Sequence, residues 1–196
     1  MPQGQTGPRT LVLASGSPRR LDLLRQIGLD PDLIDPPHID ETPRRAEQPM
    51  AYAVRMAREK LAAIAARHPG AWVLAADTVV ACGRRILPKA ETESQARDCL
   101  KLLSGRRHRV LGGIAVASPD GRIAGRVAST VVALKRLTGA EIDAYIASGD
   151  WHGKAGGYAI QGRAAAFIPW INGSYSNVVG LSLSDVAGML AGLGWR

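Results

Sequence analysis

A hairpin is the strongest constraint on what this chain can fold into. The stretches HRVLGGIAVAS (108–118) and RIAGRVASTVVALKRL (122–137) are two apolar runs rich in β-branched residues, separated only by Pro119-Asp120-Gly121. Proline presets the turn and glycine closes it, so the two runs pair antiparallel. Elsewhere strand and helix patterns alternate along the chain. A sequence with both features predicts an α/β fold whose sheet cannot be purely parallel.

The remaining elements follow from apolar spacing and punctuation. TLVLAS (10–15) reads as a buried strand. Ser17 can cap a helix that starts at Pro18, where a missing N–H costs nothing, shows an apolar face of Leu21, Leu24 and Ile27, and ends at Gly28. A second helix is expected over 49–70, closed by Pro69-Gly70, and a second buried strand, AWVLAADTVVAC, over 71–82. Thr92 with Gln95, and Thr138 with Glu141, form two capping-box patterns for helices ending near Gly105 and Gly149. GGYAIQG (156–162) and AAFIPWI (165–171) read as two further strands, Asn172-Gly173 as a turn, and LSDVAGMLAGLG (183–194) as a last helix. One domain over 11–196 is expected, preceded by a flexible tail over 1–10.

Composition narrows the partners. The chain of 196 residues carries a formal charge of +8, which points to a polyanion, either nucleic acid or a phosphorylated small molecule. With only 5% aromatic residues and one phenylalanine, Phe167, a stacking platform for single strands is poorly supplied, and the basic residues are spread along the chain. A nucleic-acid-binding protein is therefore the weaker alternative. No apolar run is long enough to cross a membrane and no signal-peptide pattern opens the sequence. Two cysteines, Cys82 and Cys99, are too few for a disulfide framework, so a cytoplasmic setting is expected. Neither a P-loop nor a zinc-ligand spacing is present.

The stretch ASGSPRR (14–20) carries the first chemical signal. A buried strand, a small-residue turn and a helix start present free N–H groups and a favourable dipole to an anion. Ser15 and Ser17 add hydroxyls, and Arg19 and Arg20 add guanidinium forks suited to phosphate. Two cations in a first turn oppose the helix dipole unless an anion sits there. Asp77, at the end of the apolar run WVLAA, is the second signal, since a carboxylate on a buried strand needs a metal, a cation or a catalytic task. Glu41, in HIDETP, could join it in an oxygen-only site for Mg²⁺ or Mn²⁺. Lys60 and Lys89 could neutralise phosphate charge.

At these residues the chain resembles the Maf family of nucleoside triphosphate pyrophosphatases. The resemblance is carried by LASGSPRRLDLL (13–24), DET (40–42), AREKL (57–61), AADTVV (75–80), LSGRRHRV (103–110), KAGGYAIQG (154–162) and INGSYSNVVGLSL (171–183), in that order from Leu11 to the C-terminus. It implies an elongated, two-lobed, ITPase-like fold with a central mixed sheet and a nucleotide cleft. It implies hydrolysis of a nucleoside triphosphate to the monophosphate and pyrophosphate with a divalent cation. In that reading Asp77 is the proton acceptor, Glu41 and Asp77 hold or face the metal, and Ser15, Arg19, Arg20, Lys60 and Lys89 serve the phosphates. The family's specificity positions fall on Arg19, Thr78 and Gln161. YAIQG resembles the branch acting on dTTP and UTP, with a 7-methyl-GTP branch as the alternative. The chain departs from the family pattern at Ala90, where proline usually follows the lysine. A homodimer is a further implication, and the family's link to septum formation implies a division-partner binding protein as a non-enzymatic alternative.

Overall fold

The computed structural model describes residues 9–196. In chain order its elements are β1 (Leu11–Ala14), α1 (Pro18–Gln26), β2 (Leu33–Ile34), α2 (Pro49–Ala65), β3 (Trp72–Cys82), β4 (Arg85–Leu87), β5 (Lys89–Ala90), α3 (Glu93–Leu103), β6 (Arg107–Ala117), β7 (Ile123–Ala133), α4 (Gly139–Ser148), β8 (Lys154–Ala155), β9 (Trp170–Asn172), α5 (Tyr175–Val179) and α6 (Leu183–Leu193). The main sheet runs β2-β1-β3-β6-β7-β9, with β4 hairpinned onto β3. β1 is parallel to both neighbours, while β3, β6, β7 and β9 alternate in direction. The mixed sheet demanded by the hairpin is the sheet observed.

Period-two alternation along β1 sets up the core. Leu11 and Leu13 face α1 and α6 in one cluster, while Val12 and Ala14 face α2 in another. Burial of each large side chain here contributes about 2 kcal/mol. A third cluster gathers Leu100, Leu103, Tyr145 and Phe167 around Val80 and Val110, the far ends of β3 and β6. The two 11-residue strands therefore thread both halves of the molecule. β1 is shorter and stops at Ala14, opposite Ala75. Past that point β3 continues without its parallel neighbour, and a cleft opens.

Both capping boxes form, with Thr92 and Thr138 each accepting from, and each protected by, the residue three positions on. Ser17 occupies the N-cap position of α1, but its side chain makes no capping hydrogen bond. Two expected strands are corrected. Residues 156–162 are not a strand, because Gly156 and Gly157 hold φ of +68° and +69°. Pleated backbone excludes that conformation. Of AAFIPWI, the first part belongs to a 3₁₀ turn, Arg163–Phe167, and only the end enters β9. Residues 1–8 of the expected tail lie outside the described residues; Thr10 is already tied to the sheet, its carbonyl accepting from Trp72 N–H at 2.9 Å. Among the described residues no helix is long and apolar enough to cross a membrane.

Candidate active site

The cleft beside the end of β1 has a volume of about 390 Å³. Ser15, Arg19, Arg20, Glu41, Lys60, Asp77, Thr78, Lys89 and Gln161 all line it. Those residues come from six separate stretches of chain. They meet because the cleft lies past the carboxyl end of a parallel strand, where loops converge.

Asp77 follows the apolar run WVLAA and sits in the middle of β3. What ends there is β1, two residues earlier in register. Directly across the ladder from Asp77 is Gly113, and across from Thr78 is Gly112. A Cβ on Gly113 would collide with the Ala53 carbonyl of α2, and one on Gly112 with the Asn177 side chain of α5. The Gly-Gly pair thus lets a helix settle close on each face of the sheet. On the α2 face, Lys60, two turns after Ala53, reaches Asp77. On the other face, Thr78 reaches the chain just after α5.

On the α2 face an ion chain forms. Lys60 Nζ lies 2.6 Å from Asp77 Oδ1 and 2.8 Å from Glu41 Oε1. Lys89 Nζ lies 2.6 Å from Glu41 Oε2. Asp77 and Lys60 are 4% and 5% exposed, so neither charge is compensated by water. Burial works to raise the Glu41 carboxyl, but the hydrogen bonds from Lys60 and Lys89 prevail and hold it at about 2. The Glu41 loop is in turn pinned by α2. Tyr52 Oη donates to the Glu41 carbonyl at 2.6 Å, and Arg55 donates to the Thr42 carbonyl and to both oxygens of Glu47. Of the four oxygens on Asp77 and Glu41, three carry an ammonium partner; Asp77 Oδ2 has none among the described residues.

On the opposite face Arg20 does something other than stand free. Its Nε donates to the Gly180 carbonyl (3.0 Å), Nη1 to Ser15 Oγ (2.8 Å) and Nη2 to Thr78 Oγ1 (3.1 Å). Thr78 Oγ1 also donates to Gly180 (3.2 Å). Burial lowers the Arg20 pKa, with the Asp77 charge opposing. Arg20 therefore ties the phosphate turn, β3 and the segment after α5 together, with part of its fork left for the cleft. Arg19, half-buried beside it, makes no such contacts among the described residues.

The comparisons with known proteins agree with this geometry. Residues 10–193 match the Maf-like protein family. The chain belongs to that family. It is 65% identical to the dTTP/UTP pyrophosphatase of Paramagnetospirillum magneticum, over 94% of this chain and 97% of that one. It is 62% identical to the dTTP/UTP pyrophosphatase of Rhodospirillum rubrum, over 97% and 90%, and 60% identical to that of Caulobacter vibrioides, over 97% and 98%. A solved HAM1 protein from Coxiella burnetii is 17% identical with a TM-score of 0.49, covering 94% of this chain and 99% of that one, a likeness too distant to bear on chemistry.

Two features of this Maf-family site escape the reading of the sequence. Gly112-Gly113 was visible as two glycines inside a strand, a sign of close backbone approach. Lys154 lies in KAGGYAIQG and lines the cleft; a lone lysine in a glycine-rich stretch gives no signal until the chain is folded. Ala90, where the family pattern has proline, is fully buried opposite Lys154 in the β5–β8 pair, and Lys89 still reaches Glu41.

The donor set suits a cation that needs few protein ligands. Among the described residues there is no group of three or more His, Cys, Asp or Glu able to hold a metal. Mg²⁺ commonly takes one or two carboxylates and completes its shell with phosphate and water. Of the two carboxylates facing the cleft, Asp77 offers Oδ2 without an ammonium partner among the described residues, while both oxygens of Glu41 are held by Lys60 and Lys89.

Proposed function

We propose that this Maf-family chain hydrolyses dTTP and UTP to the monophosphate and pyrophosphate. The observation that carries the reading is the buried Asp77, linked through Lys60 to Glu41 in a cleft whose other charged side chains are cations. Relatives at 53–65% identity named dTTP/UTP pyrophosphatase support it.

In this mechanism the triphosphate lies against the α1 N-terminus, Ser15 and Arg19, where N–H groups, a hydroxyl and a guanidinium meet its oxygens. Water adds to a phosphorus beside the α–β anhydride oxygen, its proton passes to Asp77, and the P–O bond to that bridging oxygen breaks, releasing pyrophosphate. Lys60 and Lys89 offset the charge that accumulates as the bond breaks. Asp77 and Glu41 would also hold Mg²⁺ or Mn²⁺, which supplies polarisation of phosphate and a lowered pKa for water. Gln161 reads the base. Its side chain is exposed in the cleft, makes no hydrogen bond to protein among the described residues, and can both donate and accept. That matches the adjacent carbonyl and N–H of thymine and uracil. The free thiols of Cys82 and Cys99 suit a reducing cytoplasm.

The test is pyrophosphate release from dTTP, UTP, CTP, ATP and 7-methyl-GTP with Mg²⁺ or Mn²⁺. dTTP and UTP should lead by kcat/KM. CTP should be poor, because its N3 carries no proton and an amino group replaces a carbonyl, leaving groups of the site unpaired. Gln161→Glu, which accepts but cannot donate, should lower pyrimidine use without unfolding the protein. Preference for 7-methyl-GTP would overturn the base assignment, and no release from any nucleotide would overturn the activity.

A further inference from the structure

Five cations line the cleft, and they differ in what holds them. Lys60 and Lys89 are ion-paired to Asp77 and Glu41. Arg20 is engaged by Ser15, Thr78 and Gly180. Arg19 and Lys154 have no carboxylate partner within ion-pair distance among the described residues. The Lys154 ammonium donates only to the carbonyl of its own neighbour, His152, at 2.9 Å. Asp150 acts on it from farther away, and that carboxylate accepts the Arg163 N–H at 3.1 Å.

Resting on the phosphate reading above, we propose that Lys154 is a second triphosphate-binding cation, acting with Arg19, which lines the same cleft. Backbone hydrogen bonds hold the segment around Lys154. It pairs with Ala90 across the β5–β8 ribbon, while Gly153 N–H donates to the Ala90 carbonyl (2.8 Å) and Gly156 N–H to the Pro88 carbonyl (2.9 Å). Gly153, Gly156 and Gly157 all have positive φ, and a Cβ on Gly156 would press on Val80 at 2.8 Å. This local architecture fixes one long side chain that the protein itself leaves without a counter-ion. The charge of Arg19 reaches it. Burial lowers the Lys154 pKa first, and Arg19 lowers it further. Two unpaired cations that repel each other across a cavity favour a multivalent anion between them, since one ligand removes both penalties. Arg19 supplies a planar fork and Lys154 a point charge, which together grip a flexible chain of phosphates without demanding one geometry.

The experiment measures binding of inorganic tripolyphosphate, and steady-state dTTP hydrolysis, for the wild-type protein, Lys154→Met, Lys154→Gln and Lys154→Arg. Loss of a charge-assisted contact should weaken tripolyphosphate binding by about 10- to 100-fold in Met and Gln and raise KM for dTTP in parallel, with kcat changed by less than about fivefold. Arg should restore most of the binding. The Gln variant keeps the test open if Met disturbs the ribbon. Tripolyphosphate binding unchanged in both neutral variants would overturn the proposal. So would a loss in Arg as large as in Met, since the charge would then be irrelevant. If the wild type hydrolyses neither dTTP nor UTP but binds tripolyphosphate in a Lys154-dependent way, the function proposed above fails and this assignment stands.

Discussion

The two walls of the cleft hold their charges by different means. On the sheet wall, Asp77, Lys60 and Arg20 sit on or against long regular elements, buried, each engaged by named protein partners. On the ribbon wall, Lys89 and Lys154 ride on two-residue strands whose shape depends on left-handed glycines. The first wall is preorganised by packing and ion pairs, so it costs little reorganisation when a substrate arrives. The second is positioned by backbone conformation and keeps a charge in reserve. In the reading proposed above, the proton acceptor belongs to the first wall, and the second adds Lys89 and Lys154 to the cations that meet the phosphates.

Asp77→Asn should have the largest effect. It keeps the shape and removes both the proton acceptor and the counter-charge to Lys60. Turnover should drop by about 10²-fold or more, the scale of a lost general base, while circular dichroism stays that of the native fold. Turnover near the wild-type rate would move the chemistry away from the sheet wall.

The two adjacent arginines separate structure from binding. Arg20→Ala removes contacts to three different segments and should cost about 3 kcal/mol of stability, together with activity, as read by denaturant midpoint and kinetics. Arg19→Ala should leave stability within about 0.5 kcal/mol, as for a surface change, and act through KM. Equal stability losses in the two variants would erase the distinction drawn between them.

Gly156→Ala tests the ribbon wall and should have the smallest effect on activity. A φ of +68° and the 2.8 Å approach to Val80 make alanine strained there. A loss of about 1–2 kcal/mol is expected, with KM for dTTP rising more than kcat falls. A fall in kcat alone would mean that the ribbon shapes the chemical step.

The same division explains what the sequence made legible. β1, α1, α2, β3 and the β6–β7 hairpin follow from local periodicity and turn residues, and both capping boxes form as spelled. The residues of the phosphate turn and the acid pair carry chemical signals in one dimension. What stayed hidden depends on tertiary packing. Residues 156–162 have the apolar content of a strand, but glycines 156 and 157 serve close approaches to Val80 and Ala96 and hold positive φ that pleated backbone excludes. Arg20 looks identical to Arg19 in sequence; only its contacts with Gly180, 160 residues later, make it a structural tie. α5, five residues long, is set by the Ser174 cap and by the buried amide of Asn177, which donates to the Val110 carbonyl and Thr130.

Gly112 and Gly113 have a consequence for how this protein can drift. A methyl group at Gly113 meets the Ala53 carbonyl, so the chain can keep its fold only by lifting α2 off the sheet. Lys60 rides on that helix, and its ammonium would withdraw from Asp77 as α2 rises. Such a descendant could remain compact and abundant yet be silent toward its substrate, with every residue that touches the nucleotide still in place. The hydrogen atoms on two strand glycines act as the shims that set the spacing of the catalytic charges. Inheritance of the activity therefore depends as much on what is missing at these positions as on the charged residues themselves.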